Sequence, residues 1–308
     1  MKTCKQCNYS TRTFAAIAAI FAVVFIKCDL FENQTPTFEM VWVEGGVFEM
    51  GKDWGTAATG DVTPLHTVTL DGFHISKYPV TQSQYKTVMG SNPSYFDGTV
   101  FYKEPANEEV QWLRPVDSVK WYDVIVFCNK LSLMEGLNPA YSIKDSTDPS
   151  AWGSIPAGDN DSIWDAVKIV SDSNGYRLPT EAQWEYAAKG GNPSAAGWVG
   201  YTYSGSDTID NVAWYNANSY GTHEVMKKKP NRLGLYDMSG NVYEWCWDWY
   251  GEYSNEAQTN PTGALYGSAR VLRGGSWFFS TSSARSAYRT YGYPSFADLK
   301  PGFRLVRP

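Results

Sequence analysis

Short runs in which apolar and polar residues alternate predict several β-strands near the start of the folded region. The run 39–43 reads Glu-Met-Val-Trp-Val, and the run 47–50 reads Val-Phe-Glu-Met. The Gly-Gly pair between them predicts a hairpin. Two further runs, 66–70 and 72–75, predict more strands of the same short length.

Apolar residues recur at helical spacing in three places, and each place begins with a residue that caps helices. Thr81 is expected to cap a helix over 82–89. Ser118 is expected to cap a longer helix, and Thr180 with Gln183 forms a capping box before the third. These are the helices with the strongest local signals.

Long polar stretches separate these elements. The segments 143–175 and 199–235 are rich in Asp, Ser, Pro, Gly and Asn. Loops of this length inside a compact domain are unusual and are commonly functional. Because no repeat and no linker follow residue 40, we predict one α+β domain over 41–308, with few short strands and helices and much irregular structure.

The composition narrows the classes of function. Aromatic residues make up 16% of the chain, with 13 Trp and 21 Tyr, whereas charged residues make up 19%. The formal net charge is -6. A negative balance argues against a nucleic-acid partner, because phosphate binding needs a basic field. Two cysteines beyond the N-terminal region, Cys128 and Cys246, are expected to be small buried hydrophobic residues.

The N-terminus has the pattern of an export signal. A basic start precedes a purely apolar run over 14–26, the length of a signal h-region. Cys28 follows as the expected lipidation site, so we predict a signal segment over 1–28 and a tether over 29–40. Lys27 stands where processing sites carry a small residue, and an uncleaved anchor is the alternative. Both interpretations predict an exported cell-surface or outer-membrane protein, attached to the membrane through a lipid anchor in the first.

The C-terminal stretch 278–298 has a composition typical of binding. It is rich in Phe, Tyr, Ser and Gly, and it lacks Lys, Glu, Gln, Met, Trp, Cys and His. Aromatic rings among small hydroxyl side chains provide contact area at low entropic cost. Hydroxyls are the only common nucleophiles present, and no His is there to activate them. The stretch therefore indicates recognition.

Several segments together resemble one family, in the family's order, from about residue 40 to the C-terminus. They are Tyr-Pro-Val-Thr-Gln-Ser-Gln-Tyr (78–85), Arg-Pro-Val-Asp-Ser-Val (114–119), Gly-Tyr-Arg-Leu-Pro-Thr-Glu-Ala-Gln-Trp-Glu-Tyr (175–186), Gly-Leu-Tyr-Asp-Met-Ser-Gly-Asn-Val-Tyr-Glu-Trp (234–245), and Arg-Gly-Gly-Ser-Trp (273–277) with Gly-Phe-Arg (302–304). The chain resembles the formylglycine-generating-enzyme (sulfatase-modifying factor) family. The resemblance implies a loop-rich variant of the C-type lectin fold.

The resemblance does not extend to the metal sites of the enzymatic branches. The oxidising members bind copper through two cysteines after the Gly-Gly-Ser-aromatic motif, and here 278–284 contains no thiol. The related sulfoxide synthases use three histidines for iron, and His66, His74 and His223 lack that spacing. We therefore expect neither copper nor iron, and no catalysis. A divergent sulfatase-modifying oxidase is the alternative.

The chain resembles more closely a third branch, the variable proteins of diversity-generating retroelements, those of treponemes in particular. Adenine-directed copying errors in Asn codons cannot produce Lys, Glu, Gln, Met or Trp, and 278–298 obeys that exclusion. The resemblance implies a candidate variable region over 278–299 on a fixed scaffold, with a protein or glycan ligand on another cell or host surface. Arg285 and Arg289 are expected to pair inside the framework. The expected contact residues are Phe278, Phe279, Ser280, Ser282, Ser283, Tyr288, Thr290, Tyr291, Gly292, Tyr293, Ser295, Phe296 and Asp298.

The family's calcium pattern falls on four residues of this chain. They are Asp237, Gly240, Val242 and Glu244. Two carboxylates and two backbone carbonyls form a donor set that suits a hard cation. The alternative is that both carboxylates accept hydrogen bonds from backbone amides in a turn.

Overall fold

The computed structural model describes residues 36–52 and 62–308. The predicted signal segment, Cys28 and most of the predicted tether lie outside these residues. From Thr37 onward the described chain forms one unit by its contacts. Within the described residues, no helix has both the length and the apolar character to cross a membrane.

The regular elements are short, as predicted. The strands are β1 (Met40–Val43), β2 (Gly46–Met50), β3 (His66–Leu70), β4 (Phe73–Ser76), β5 (Tyr141–Ser142), β6 (Lys168–Ile169), β7 (Ala213–Trp214), β8 (Ser239–Gly240), β9 (Tyr243–Trp249), β10 (Gln258–Thr259), β11 (Arg270–Arg273), β12 (Arg289–Gly292), β13 (Pro301–Gly302) and β14 (Val306–Arg307). The α-helices are α1 (Gln82–Met89), α2 (Trp121–Met134) and α3 (Glu181–Ala188). The mixed, loop-rich α+β fold class is confirmed.

The described strands form five sheets. Three have three or four strands, with orders β1-β4-β14, β10-β3-β2 and β12-β11-β9-β13, and two are the pairs β5-β6 and β7-β8. The predicted hairpin between β1 and β2 is wrong, because β1 pairs with β4 and β2 pairs with β3. Gly45 and Gly46 carry the chain from one sheet to the next, and neither adopts positive φ. A Cβ on Gly45 would lie 2.6 Å from the Leu70 carbonyl oxygen, so glycine is required there by close approach and not by a turn.

The helix predictions hold at two of the three N-termini. Thr81 caps α1 and Thr180 caps α3, each in a capping box with the glutamine three residues later. Ser118 does not cap α2. It lies at φ 62°, and its hydroxyl donates to the Asp117 carboxylate at 2.8 Å. The N-cap of α2 is Lys120, whose backbone N–H donates to Asp123 Oδ2 at 2.9 Å.

The core is rich in aromatic residues, and the indole N–H groups of Trp121 and Trp245 are hydrogen-bonded. Trp121 of α2 donates to the Cys246 carbonyl at 2.9 Å, and Trp245 of β9 donates to the Val119 carbonyl at 3.0 Å. These bonds lock α2 onto β9 while satisfying buried polar atoms. Cys128 and Cys246 are free and fully buried, as predicted.

Candidate ligand-binding surface

Both ends of the candidate variable region are fixed to the same strand. In β9, Glu244 lies opposite Arg273 of β11 on one side and opposite Gly302 of β13 on the other. The predicted role of 273–277 and 302–306 as strand ends that hold the segment closed is confirmed. The segment 274–300 therefore starts and ends within two strand spacings, and it contributes β12 to the edge of the same sheet.

Buried ion pairs fix the base of the segment, which is the part of β11, β9 and β13 where the segment begins and ends. Arg304 binds Glu244 through two hydrogen bonds, Nε to Oε2 at 2.6 Å and Nη2 to Oε1 at 2.8 Å. Arg273 binds Glu185 of α3, and all four side chains are fully buried. Burial opposes ionisation of Glu185, but the charges of Lys189 and Arg273 hold its pKa below the ordinary value. Such pairs are costly to break, because the remaining charge has no partner.

The predicted internal pairing of Arg289 is confirmed. Its guanidinium donates two hydrogen bonds to the Glu181 carboxylate of α3, from Nε to Oε1 at 2.7 Å and from Nη2 to Oε2 at 2.6 Å. Its Nη1 donates to the Gly251 carbonyl at 2.7 Å. Because Arg289 begins β12, this bidentate pair fixes the strand that carries several predicted contact residues. Arg285 is half-buried.

Five aromatic rings of the predicted contact set are accessible. Their exposed fractions are 52% for Phe278, 36% for Phe279, 52% for Tyr291, 48% for Tyr293 and 41% for Phe296. These residues are referred to below as the exposed aromatic set. Among the other expected contacts, the exposed or partly exposed ones are Ser280, Ser282, Tyr288, Thr290, Ser295 and Asp298.

Two expected contacts, Ser283 and Gly292, are buried and do not present a side chain to a ligand in this structure. Ser283 is 6% exposed and closes a one-turn helix over 281–284. Gly292 lies against the indole of Trp245, where a Cβ would be 2.6 Å from Cη2. Glycine at 292 therefore serves the packing of β12 on β9.

Two rings of the exposed aromatic set pack on tyrosines that sequence reasoning missed. The ring of Phe279 packs on Tyr243 with centroids 5.3 Å apart, and Tyr291 packs on Tyr250 at 4.8 Å. Tyr243 and Tyr250 lie on and directly after β9, and the dense aromatic run there is the signal that could have indicated them.

A distant loop holds the end of the segment. The Ser295 N–H donates to Asp159 Oδ1 at 3.0 Å, and the Ser295 hydroxyl donates to the same oxygen. Lys300 pairs with Asp298 and lies 5.1 Å from the ring centre of Phe278. No local pattern links Asp159 to a residue 136 positions away.

The two carboxylates of the calcium pattern, Asp237 and Glu244, accept hydrogen bonds from groups inside the protein. Both Glu244 oxygens accept from Arg304, and Oε2 also accepts from Trp184 Nε1 at 2.6 Å. Asp237 accepts from the Met226 N–H at 2.9 Å, and burial raises its pKa to about 6. A carboxylate that neutralises a buried arginine does not fit a cation ligand, so the arrangement favours the alternative of internal hydrogen bonds. Within 36–52 and 62–308, no three His, Cys, Asp or Glu side chains are grouped to hold a metal.

The chain belongs to a family whose fold this geometry reproduces. Residues 27–308 match the family model described as the sulfatase-modifying factor enzyme 1-like domain. This match confirms the predicted family, and the fold is the C-type lectin variant of formylglycine-generating-enzyme type.

Particular relatives place the chain within the family. A solved structure titled Treponema denticola variable protein 1 is 38% identical with a TM-score of 0.78, over 90% of this chain and 98% of that one. Chaperone protein LppX of Paenibacillus barcinonensis is 40% identical over 95% of this chain and 96% of its own length. Formylglycine-generating enzyme of Streptomyces coelicolor is 28% identical over 86% of this chain and 88% of its own length. The fold is therefore similar to that of the treponemal variable protein.

Proposed function

We propose that this protein is a non-catalytic binding protein whose C-terminal segment recognises a protein or glycan on another cell or host surface. The observation that carries the proposal is the exposed aromatic set, held on a segment whose two ends are fixed to β9. Large rings on a rigid base supply contact energy without an ordering cost at binding.

The accessible aromatic area is large enough to support binding. Five rings that are between 36% and 52% exposed present on the order of 500 Å². A standard protein interface buries about 800 Å² on each partner. The rings alone supply more than half of that area, and aromatic residues are the ones that dominate interface energy.

The absence of thiols near the segment supports a non-catalytic role. The family's copper chemistry needs two thiolates after the Gly-Gly-Ser-aromatic motif, and 278–284 carries none. Cys246 lies below the surface in β9, and burial raises its pKa well above the ordinary value. It therefore provides no accessible thiolate at neutral pH.

The division between segment and scaffold supports diversification by a retroelement. The charged groups that fix the base, Arg273, Glu244 and Arg304, lie outside 278–299. Exchange of exposed residues inside the segment leaves these pairs untouched. The proposal includes export and display through a lipid on Cys28, which the apolar run before that residue supports.

The diversification proposal is tested by sequencing this locus in sibling isolates. We expect substitutions scattered within 278–299 and concentrated at the exposed positions, with the codons of 270–277 and 300–307 unchanged. Substitutions spread evenly over the domain would contradict the proposal and favour a structural envelope protein.

The binding proposal is tested with labelled protein on a glycan array and on a panel of intact cells. The double variant Phe278→Ser, Tyr291→Ser is expected to lose at least about tenfold in affinity, because two aromatic anchors are removed. The matched control is Tyr220→Ser, Tyr266→Ser, since those rings are 96% and 85% exposed outside the segment. Equal loss in both variants would contradict the assignment.

The alternative, a divergent sulfatase-modifying oxidase, draws on the 28% identity with the Streptomyces enzyme. Titration with cuprous ion separates the two functions. The binding proposal predicts no tight cuprous site. Tight binding accompanied by oxidation of a cysteine peptide would replace it with the oxidase.

A further inference from the structure

A second group of exposed apolar side chains lies on the loop 95–113, which we call the platform loop. Phe101 and Tyr102 are its most accessible rings, at 88% and 68% exposed. Its other exposed large apolar residues are Tyr95, Val100, Val110, Trp112 and Leu113. Soluble proteins rarely expose so much apolar surface on one loop unless that surface binds a partner.

Buried polar groups fix the platform loop to the domain. Gln111 Nε2 donates to the Phe96 carbonyl at 2.6 Å, so the two ends of the loop meet. Arg114 is 1% exposed, and its Nη1 donates to the Lys103 carbonyl in the middle of the loop at 2.7 Å. The exposed rings are therefore carried on an ordered backbone, and little conformational entropy is lost when a partner binds them.

The platform loop adjoins the exposed aromatic set. Phe96 packs edge-on against Trp277 with ring centres 5.2 Å apart, and Trp277 packs edge-on against Phe278 at 5.4 Å. Phe96 and Trp277 are buried, so they join the two surfaces from below. The platform loop lies outside 278–299. A partner bound on the segment therefore also meets a surface that diversification leaves unchanged.

The charge of the platform loop indicates the kind of partner. The loop contains four carboxylates and one lysine. Asp97 lies 3.9 Å from that lysine, and Glu109 lies 2.7 Å from a histidine nitrogen. The other two carboxylates, Glu104 and Glu108, are exposed and form no ion pair in the part of the chain that the structure describes. Two negative charges beside exposed rings complement a positively charged partner.

Two rings of the platform loop already hold ammonium groups. Lys103 Nζ lies 4.3 Å from the ring centre of Tyr95, and Lys86 Nζ of α1 lies 5.2 Å from that of Trp112. A cation within about 6 Å of an aromatic face is attracted by the ring. The two most exposed rings of the loop hold no cation from the described chain, and they come just before Glu104. They are therefore available to cations from a partner.

We propose that the platform loop binds a basic stretch of a protein partner. The lysine or arginine side chains of that stretch lie over Phe101 and Tyr102 and pair with the two free carboxylates. The segment 278–299 then determines which protein is bound, and the platform loop recognises a charged feature that the different partners share. This inference rests on the proposed function, because it extends the same binding surface and commits it to protein partners.

The test measures the binding of fluorescent peptides to the full chain by anisotropy. The probes are a repeat of Lys, Gly and Arg, and repeats of the same length in which Gln or Glu replaces the basic residues. We expect the basic peptide to bind at least about tenfold more tightly than the Gln peptide, through cation–π contacts and ion pairs together. Its affinity should fall as salt rises from about 0.02 to 0.2 M. Equal affinity for the basic and Gln peptides would overturn the proposal.

The rings are tested with the double variant Phe101→Ser, Tyr102→Ser. It should weaken the basic peptide about fivefold, because two cation–π contacts are lost. The matched control is Leu265→Ser, Tyr266→Ser, a second adjacent pair that is 94% and 85% exposed outside the platform loop. The control should leave the affinity unchanged. An equal loss in both variants would exclude the platform loop as the site.

The carboxylates are tested with Glu104→Gln, Glu108→Gln, which should weaken the basic peptide about threefold and reduce its salt dependence. The control Glu252→Gln, Glu256→Gln changes the net charge by the same amount at two other exposed residues. If the control weakens the peptide as much, binding follows the net charge of the protein, and the proposal fails.

Binding to intact cells separates this inference from the proposed function. Phe101→Ser, Tyr102→Ser should weaken cell binding about fivefold. If Phe278→Ser, Tyr291→Ser weakens it and the platform variant does not, the inference fails and the proposed function stands. If neither variant weakens it, both fail. Glycan-array binding that the platform variant abolishes, without binding of the basic peptide, would make a neutral glycan the ligand of the loop and overturn the proposal.

Discussion

Adjacent residues of β12 should respond oppositely to the same substitution. Tyr291 is 52% exposed, and its ring contacts Tyr250 at 4.8 Å. Gly292 faces inward, where an added Cβ would be 2.6 Å from Cη2 of Trp245 and 3.2 Å from Leu272 Cδ1. We therefore compare Tyr291→Val with Gly292→Val, which place one β-branched side chain on the two faces of a single strand.

The expected magnitudes differ severalfold. Tyr291→Val loses part of an aromatic pair, which is worth about 0.5–1.5 kcal/mol, and keeps a residue that favours strands. Gly292→Val inserts three carbons against a fully buried indole. Overpacking by small increments already costs about 1–3 kcal/mol, so we expect at least about 3 kcal/mol here. In melting temperature this corresponds to a decrease of about 6–12 °C for Gly292→Val, against about 1–6 °C for Tyr291→Val.

The assay is urea unfolding followed by tryptophan fluorescence, with thermal melts as confirmation. The chain contains 13 Trp, so the emission reports global unfolding, and the comparison rests on the unfolding free energies of the two variants. If the two variants lose similar free energy, Trp245 moves aside at little cost. Position 292 would then be interchangeable, and Gly292 would return to the set of contact residues.

Three further predictions concern the scaffold. Burial, and then the nearby charge of Glu181, raise the pKa of Asp248 from the ordinary 3.8 to about 7. The folded state therefore holds this proton more tightly than the unfolded state, and wild-type stability falls as pH rises from about 4 to 7. The unfolding free energy of Asp248→Asn should rise relative to that of the wild type by up to about 4 kcal/mol between pH 4 and pH 7. A difference between the two proteins that stays the same in urea unfolding at pH 4, 6 and 8 would contradict this. Arg289→Met should cost about 3 kcal/mol, because Glu181 loses its bidentate partner and keeps only the Tyr253 hydroxyl at 3.1 Å and Arg273 Nε at 3.7 Å. The double variant with Glu181→Gln should recover most of that loss in the same assay. Thr180→Ala should cost about 1 kcal/mol through loss of the α3 capping box, visible as a lower urea midpoint.

Local signals predicted most of the elements but not how they pair. The capping boxes at Thr81 and Thr180 involve residues three positions apart, so the sequence contains the whole interaction. A Gly-Gly pair such as Gly45-Gly46 is compatible with two structures, a tight turn or a close approach of two backbones. Only the position of Leu70 in the neighbouring strand decides between them.

The candidate site was predictable in outline for a similar reason. Composition identified the segment, and the exposed rings bear out its accessible character. Burial of Ser283 and Gly292 depends on partners such as Trp245, which occupy no fixed spacing from them. The same limit applies to Glu244, which the family pattern associates with a cation and which Arg304 neutralises instead.

The attachment of the last residues to the sheets has a consequence for chain cleavage. Arg304 is buried on Glu244, and Val306 exchanges two backbone hydrogen bonds with Arg177 at 2.8 and 2.9 Å. β14 also pairs with β4. These contacts are all made by residues after 299. A nick within 278–299 therefore leaves the C-terminal fragment bound to the domain by its own contacts. We therefore expect a nick at the exposed residues 278–280 to leave the two pieces associated, with the rest of the domain keeping its shape.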